Sequence, residues 1–355
     1  MEHWIIIAII LAIVFVIFIV GIALILTPLL LAALIAIVIA LLGVIALAVL
    51  AVIALLALPI LLICFFKIFY SGKRKKVGKN DYPTPPGRVY DPYREQMVKW
   101  TKEIRAMECT DICIRSHDRL KLRGKYYEYK KGAPIEILFH GYKGTAERDL
   151  CGGVYRCFEL GHNALIVDHR ASGNSDGHVI TFGAKESRDC VAWVNYVVKN
   201  IDKDAKIIIT GISMGAATVM NAASMKLPKN VVGVLADCGY TSTKAIIKKV
   251  MKDMRLPANF LYPFARLSAI VFGGFDPNVR SPIKSMKKCK LPIIFFHGDA
   301  DGFVPCSMSE RNYKACASEY KRLVVTPYAG HGLCFPADPE TYFKEVREFF
   351  EPLLK

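Results

Sequence analysis

Residues 211–215 read Gly-Ile-Ser-Met-Gly, and they stand between a short apolar run at 206–210 and a helix-like stretch at 215–225. A G-x-S-x-G segment between a strand and a helix is typical of a nucleophile elbow, a tight turn that lifts the serine out of the sheet. Glycines are needed there because side chains would collide with neighbouring backbone. The serine hydroxyl would also lie at the positive end of the helix. The segment therefore predicts Ser213 as a nucleophile.

The chain after residue 108 alternates between short apolar runs and helical patterns. The apolar runs lie at 135–139, 164–167, 206–210, 231–236, 292–296 and 322–326. The amphipathic stretches lie at 147–160, 184–199, 215–225, 307–318 and 339–353. This alternation is typical of an α/β fold with a mostly parallel, doubly wound sheet covered on both faces. Ligands of such sheets bind at the carboxyl ends of the strands, so we expect the chemistry there.

A serine nucleophile needs a base, and the base needs a group that orients it. His331, flanked by glycines, follows the last apolar run and is the predicted base. The acid should come between serine and histidine in the chain, which is the order used by folds with a nucleophile elbow. The segment 297–305 offers two carboxylates, Asp299 and Asp301. Asp237, after an earlier run, is a weaker candidate.

An oxyanion hole requires two backbone N–H groups directed at the developing negative oxygen. The N–H of Met214, directly after the nucleophile, is the first predicted donor. The second should come from the loop after the run at 135–139, where residues 140–144 read His-Gly-Tyr-Lys-Gly. The N–H of Tyr142 is the predicted donor, unless this loop only closes the strand.

The chain from about residue 108 to 355 resembles the α/β-hydrolase superfamily, nearest to its small-lid, serine aminopeptidase-like and esterase-like members. The motifs that carry the resemblance are His-Gly at 140–141, Asp-His-Arg-Ala-Ser-Gly-Asn-Ser at 168–175, the elbow at 211–215, His-Gly-x-x-Asp-x-x-Val-Pro at 297–305 and Gly-His at 330–331. The resemblance implies a catalytic triad of Ser213, Asp301 and His331, with Asp299 as the second choice for the acid.

The same resemblance implies roles outside the triad. Asp168 and Arg170 would brace loops beside the site, and Ala171 stands where the superfamily usually has glycine. A small helical lid is expected at about 241–290. Apolar residues at helical spacing between 246 and 254 predict one amphipathic lid helix, and the apolar residues that follow at 260–272 would pack against the body or line an acyl pocket.

The first fifth of the chain differs sharply from the rest. No charged residue occurs from Trp4 to Phe66, a stretch of 63 residues. About 20 apolar residues cross the hydrocarbon core of a bilayer as a helix, and a signal peptide would be much shorter. Thr27-Pro28 resembles a helix start, with threonine as the cap and proline at the first position. We therefore expect residues 1–66 to form two transmembrane helices, with three as the alternative.

Lysine and arginine residues follow the apolar region, at positions 67, 73–76 and 79, and no Lys or Arg precedes it. Such residues tend to stay cytoplasmic, so the domain at 91–355 should face the cytoplasm. Residues 67–90 form a basic, proline-rich linker of semi-rigid character. The eleven cysteines suggest no disulfide framework. The net charge of +16 fits either a solvated surface or contact with anionic membrane lipids, and no pattern suggests nucleic acid.

These features predict a serine hydrolase that transfers an acyl group to water. Neither H-E-x-x-H nor Cys-x-x-Cys occurs, so no metal and no cofactor is expected. The expected partners are a small-molecule ester or thioester with an apolar acyl group, and membrane lipids. Two alternatives remain: a serine peptidase acting on short peptides, and a non-catalytic hydrolase-like binding module on a membrane scaffold.

Overall fold

The computed structural model describes residues 1–72 and 77–355 of the chain. The predicted orientation depends on basic residues at 67, 73–76 and 79. Residues 73–76 lie outside the described residues. The chain divides into two compact units, Met1–Ile60 and Leu61–Lys355.

The apolar N-terminal region forms one continuous helix, α1 (Glu2–Cys64), and the prediction of two helices is wrong. The Thr27 hydroxyl does not cap a new helix, because it donates a 2.7 Å hydrogen bond to the Ala23 carbonyl oxygen one turn earlier. Pro28 and Pro59 both lie inside the helix. A break into two helices would leave backbone N–H and C=O groups without partners at the new helix ends. The surrounding sequence has no other polar side chains to bind them, so one continuous helix is favoured.

The exposed surface of α1 is almost entirely apolar. The helical region Glu2–Phe69 has a mean hydropathy of 3.7 in its most apolar window, and none of that window is buried. By length and composition it is a candidate membrane span. At about 1.5 Å per residue, the 63 residues of α1 extend over roughly 95 Å.

The second unit contains one eight-stranded sheet. Its strands are β1 (Thr110–Arg115), β2 (Lys121–Tyr127), β3 (Ile135–Phe139), β4 (Asn163–Val167), β5 (Ile207–Ile212), β6 (Val231–Asp237), β7 (Ile293–Gly298) and β8 (Lys321–Thr326). Their order in the sheet is β1-β2-β4-β3-β5-β6-β7-β8. The pairs β1–β2 and β2–β4 are antiparallel, and the other neighbours are parallel. The predicted mostly parallel α/β sheet is therefore confirmed.

Helices cover both faces of this sheet. They are α2 (Arg94–Ala106), α3 (Ala146–Glu159), α4 (Glu186–Asn200), α5 (Met214–Ala222), α6 (Thr243–Asp253), α7 (Ala258–Val271), α8 (Pro282–Met286), α9 (Ser307–Ala315), α10 (Cys334–Ala337) and α11 (Pro339–Leu354). The insertion predicted as a lid forms α6, α7 and α8, between β6 and β7.

Two apolar cores form, one on each face of the sheet. Trp193 of α4 and Met220 of α5 belong to the first core. Trp100 of α2, Val154 of α3 and Phe350 of α11 belong to the second. Strands β3, β4 and β7 are buried at every position, as expected for central strands covered on both faces.

The segment directly after α1 packs into the second unit. Phe65–Phe69 form a π-helix, and the Phe69 side chain is fully buried. The Phe69 carbonyl oxygen accepts a 2.8 Å hydrogen bond from the Ile180 N–H. Arg88–Tyr93 form a 3₁₀ helix that leads into α2. The segment expected as a linker, 67–90, thus has ordered structure at both ends.

Candidate active site

Ser213 lies in the tight turn between β5 and α5. Its φ of 57° falls in the left-handed region, which is unusual for a residue with a side chain. A Cβ atom on Gly211 would lie 2.2 Å from the carbonyl carbon of Gly215, and one on Gly215 would lie 1.9 Å from the Phe139 carbonyl oxygen. Both positions therefore require glycine. The local structure is that of a nucleophile elbow, with Ser213 at the N-terminus of α5.

The structure brings the three predicted triad residues together. The distance from His331 Nε2 to Ser213 Oγ is 2.9 Å, and the distance from His331 Nδ1 to Asp301 Oδ2 is 2.7 Å. An ionised carboxylate only accepts hydrogen bonds, so Nδ1 carries the proton and Nε2 is left to accept from the serine hydroxyl. Ser213 and Asp301 are buried, while His331 is partly exposed. This geometry suits proton transfer from serine to histidine.

The loop after β7 holds the Asp301 carboxylate ionised. Its Oδ1 accepts hydrogen bonds from the N–H groups of Phe303 and Val304, at 2.9 and 2.8 Å. Burial alone would raise the pKa of Asp301, but hydrogen bonds from His297 and His331 hold that pKa well below its usual range. The carboxylate therefore stays negative through the neutral range, where it can stabilise a protonated His331.

His297 is a positioning residue that the sequence analysis did not single out. It is fully buried at the end of β7, and its Nε2 lies 2.8 Å from the Val304 carbonyl oxygen, which makes Nε2 a donor. Its Nδ1 then accepts from the Ser309 hydroxyl at 2.7 Å. Its Nε2 also lies 3.2 Å from Asp301 Oδ2. The position of this histidine, four residues before Asp301 in the quoted motif, was the available signal.

The two other candidate acids are engaged elsewhere. Asp299 is exposed, and its Oδ1 accepts a 2.6 Å hydrogen bond from the Tyr328 N–H. Asp237 is buried at the end of β6, where burial raises its pKa, and its Oδ2 lies 3.3 Å from the Tyr342 hydroxyl. The acid in contact with His331 is Asp301.

The predicted oxyanion donors both lie near Ser213. Met214 is the first residue of α5, so its N–H is among those without an acceptor inside the helix. Tyr142 lines the same cavity as Ser213. Its phenol donates a 2.7 Å hydrogen bond to the Ile68 carbonyl oxygen, and its ring stacks on Phe182 with centroids 5.0 Å apart. The segment that follows α1 therefore helps to hold this loop.

Comparisons with known proteins support the fold of this unit. The prolyl oligopeptidase family matches residues 181–355, just under half of the chain and the part that contains Ser213, Asp301 and His331. The YqkD protein of Bacillus subtilis is 29% identical over 246 residues, which are 69% of this chain and 80% of that protein. The bem46 protein of Schizosaccharomyces pombe is 25% identical over 250 residues, 68% of this chain and 77% of that protein.

Solved structures with a similar architecture include an esterase. Esterase Pf2001 of Pyrococcus furiosus has a TM-score of 0.60 at 24% identity and covers 80% of this chain and 100% of its own. Est1E of Butyrivibrio proteoclasticus, in a structure with bound ferulic acid, has a TM-score of 0.51 at 22% identity and covers 68% and 99%. The chain has the α/β-hydrolase fold.

A cavity of about 740 Å³ opens beside Ser213 in this α/β-hydrolase unit. Its walls come mainly from the N-terminal part of the unit rather than from the insertion between β6 and β7. The apolar lining includes Pro85, Pro86, Val89, Met97, Trp100, Leu138, Leu150 and Phe335. Among the described residues, none from 241–290 contributes to the lining. The 85–90 segment, expected only as a linker, lines part of the cavity.

Asp168 and Arg170 of the motif at 168–175 both brace loops in this α/β-hydrolase fold, but they do not pair with each other. The Asp168 carboxylate accepts hydrogen bonds from the N–H groups of Ala146 and Asn174, at 2.9 and 2.8 Å. The Arg170 guanidinium instead binds Asp189 at 2.6 and 2.7 Å and Asp118 at 2.8 and 3.1 Å. Each residue therefore ties a different pair of segments together.

One group among the described residues has three potential metal ligands close together: Cys238, Asp301 and His331. A metal would need the cysteine as a thiolate. Burial raises the pKa of the Cys238 thiol well above its usual value, which favours the neutral thiol. Asp301 and His331 are already hydrogen-bonded to each other. This donor set fits a metal poorly.

Proposed function

We propose that the chain is a membrane-anchored serine hydrolase that cleaves an acyl ester or thioester through an acyl-enzyme intermediate. The observation that carries the proposal is the hydrogen-bonded line from Ser213 Oγ through His331 to Asp301, at 2.9 and 2.7 Å. The α/β-hydrolase fold supports it, since a peptidase family and an esterase of known structure are similar to this chain.

In the first half-reaction, Ser213 Oγ attacks the acyl carbonyl carbon while His331 Nε2 takes its proton. The N–H groups of Met214 and Tyr142 stabilise the negative oxygen of the tetrahedral intermediate. Asp301 stabilises the imidazolium and keeps the ring in the required tautomer. As the intermediate collapses, the bond to the leaving group breaks, and His331 returns the proton to the departing alcohol or thiol. The acyl group is left on Ser213.

In the second half-reaction, water takes the place of the serine hydroxyl. His331 Nε2 removes a proton from the water as its oxygen attacks the acyl carbon. The bond to Ser213 Oγ then breaks, and His331 gives the proton to the serine. The products are a carboxylic acid and the restored enzyme, so no cofactor is consumed.

The cavity supports an apolar acyl group as the substrate class. A volume of about 740 Å³ lies within the range of roughly 300–1,000 Å³ that pockets for small molecules occupy. The apolar lining includes Met97 and Trp100 of α2 and Leu150 of α3, and it outnumbers a charged set that includes Arg148 and Asp149. Such walls favour chains of methylene groups over charged or strongly polar acids.

We expect nitrophenyl esters of medium chain length, roughly C6 to C12, to be hydrolysed with higher kcat/KM than the acetate. Each buried methylene contributes about 0.8 kcal/mol, or roughly fourfold in kcat/KM. The measurement is kcat/KM across the ester series with the full-length protein, corrected for hydrolysis by Ser213→Ala. A maximum at acetate, with a steady fall as the chain grows, would contradict the apolar acyl pocket.

A peptidase acting on short peptides is the second candidate, favoured by the match of residues 181–355 to the prolyl oligopeptidase family. Both activities would use the same three side chains, so the triad does not separate them. Peptide nitroanilides assayed beside the ester series do. Faster cleavage of any peptide nitroanilide than of the best ester would place the peptidase ahead.

The membrane anchor of this proposal is α1. Its exposed apolar surface would otherwise face water along its whole length, which is unfavourable in proportion to its area. The basic residues after it, among them Lys67 and Lys79, support a cytoplasmic position for the hydrolase unit.

We expect protease added to intact cells to leave the hydrolase unit uncut, and a reporter fused after Lys355 to report the cytoplasm. Holding the basic flank on the cytoplasmic side also holds every later residue there, because α1 is the one candidate span among the described residues. The measurement is a protease-protection blot, with permeabilised cells as the control. Digestion from outside intact cells would overturn the orientation.

A further inference from the structure

Helix α7 carries an apolar face that points away from the domain. Phe260, Leu267, Ile270 and Val271 are exposed by 61, 46, 41 and 59% of their surface. The opposite face of the helix is buried at Tyr262, Ala265 and Ala269. A helix on the surface of a soluble domain normally turns polar side chains outward, so a row of exposed apolar residues indicates a contact surface.

This face continues to the point where the apolar N-terminal region joins the second unit. The Phe272 ring, at the end of α7, lies 5.6 Å from the ring of Phe65. Phe275 lies 5.5 Å from Phe69, between ring centroids. Phe66 is 51% exposed in the same region. The start of the second unit and the end of α7 therefore present one apolar surface.

Basic residues border the apolar face on the neighbouring helix. Lys244, Lys248 and Lys252 follow one another at four-residue spacing along α6. Lys248 Nζ donates a 2.7 Å hydrogen bond to Asn259 Oδ1, at the start of α7. The acid nearest in sequence, Asp253, is paired with Lys249 at 2.6 Å. An apolar helix face beside a row of lysines is typical of helices that lie in a bilayer interface with anionic headgroups.

Helix α6 touches the loop that carries Asp301. Lys249 Nζ on α6 donates to the Gly302 carbonyl oxygen, next to Asp301. The Phe303 ring lies 5.0 Å from the His331 ring, between centroids. Gly302 and Phe303 also line the cavity. A surface that contacts α6 therefore lies next to the loop that carries the acid.

We propose that α7 lies in the membrane interface, with its apolar face in the bilayer and the α6 lysines at anionic headgroups. The proposal rests on the membrane anchor of the proposed function. The bilayer fits this face better than a second copy of the chain, because anionic headgroups match the α6 lysines in charge, whereas a two-fold partner would present the same face with the same lysines. Bilayer contact would present the cavity mouth to substrates dissolved in the membrane.

The test is fluorescence quenching of the full-length protein in vesicles of phosphatidylcholine and phosphatidylserine with brominated acyl chains. Phe260→Trp places the reporter on the apolar face, and Tyr129→Trp is the matched control. Tyr129 is 50% exposed and directly follows β2. The end of β2 pairs with the beginning of β4, so Tyr129 lies at the amino ends of the parallel strands, whereas the catalytic loops lie at their carboxyl ends. Emission of the wild-type protein is subtracted, which removes the three native tryptophans.

We expect several-fold quenching of the tryptophan in Phe260→Trp and none in Tyr129→Trp, with stronger quenching as the phosphatidylserine content rises. Equal emission of both variants in brominated and ordinary vesicles would overturn the proposal. If raising the protein density forms dimers and quenching falls in proportion, the face binds a second copy of the chain. That result would also overturn the proposal.

Carbonate extraction separates this proposal from the anchor. Retention of the chain in the membrane without quenching at position 260 overturns the α7 contact alone, whereas release of the chain by carbonate overturns both. A triple variant, Phe260→Ser with Leu267→Ser and Val271→Ser, adds a readout in activity. We expect a several-fold fall in kcat/KM for an ester dissolved in the vesicles and no change for soluble nitrophenyl acetate. An equal loss on both esters would indicate damage to the fold and contradict the interface role.

Discussion

Replacing Ser213 by alanine is expected to abolish covalent labelling by a fluorophosphonate probe and to lower kcat by about 10⁶-fold, the loss typical of a missing serine nucleophile. The probe forms a bond only with an activated hydroxyl, and His331 Nε2, at 2.9 Å, is the group that activates this one. His331→Ala should therefore remove the label as well. The measurement is in-gel fluorescence of the detergent-solubilised, full-length protein.

The matched control is Ser224→Ala, just after the end of α5. The Ser224 hydroxyl donates a 2.9 Å hydrogen bond to the Asn221 carbonyl oxygen and is not part of the site. We expect this variant to label like the wild-type protein. A label that survives in Ser213→Ala would place the nucleophile elsewhere. A wild-type protein that never labels and hydrolyses no ester would favour the non-catalytic binding module.

Replacing Asp301 by asparagine is expected to lower kcat by about 10⁴-fold, as for other triads that lose the orienting carboxylate. An asparagine amide cannot stabilise the imidazolium as a carboxylate does, and it also permits the wrong tautomer of His331. Asp299→Asn should change kcat little, because Asp299 binds the Tyr328 N–H instead. The measurement is kcat with the best ester of the nitrophenyl series.

Asp301 also supports its own loop, so the fold of the variant must be checked. Asparagine keeps one oxygen that can accept from the N–H groups of Phe303 and Val304. We therefore expect Asp301→Asn to unfold cooperatively, at a Tm lowered by the loss of the charge beside His297. A larger fall in kcat for Asp299→Asn than for Asp301→Asn would mean that the acid is assigned to the wrong carboxylate.

Local sequence predicted the features that depend on neighbours along the chain. The runs of apolar residues predicted the central strands because a strand buried on both faces tolerates few polar residues. The glycines at 211 and 215 predicted the elbow because only glycine avoids contact with Phe139 and the opposite side of the turn. The order of Ser213, Asp301 and His331 predicted three loops at the same edge of the sheet, since the carboxyl ends of parallel strands meet there.

Only the tertiary structure decided between options that look alike in sequence. Asp299 and Asp301 are two residues apart, and their separate partners follow from how the loop after β7 folds around His297. Residues of 85–90 line the cavity, and Val89 packs beside Gly330, a contact between distant segments that no local pattern records. Thr27 and Pro28 lie within one helix, because the Thr27 hydroxyl binds the preceding turn. Sequence alone thus determined which residues could do the chemistry, whereas long-range packing determined which of them meet, because contacts between distant segments depend on the whole fold.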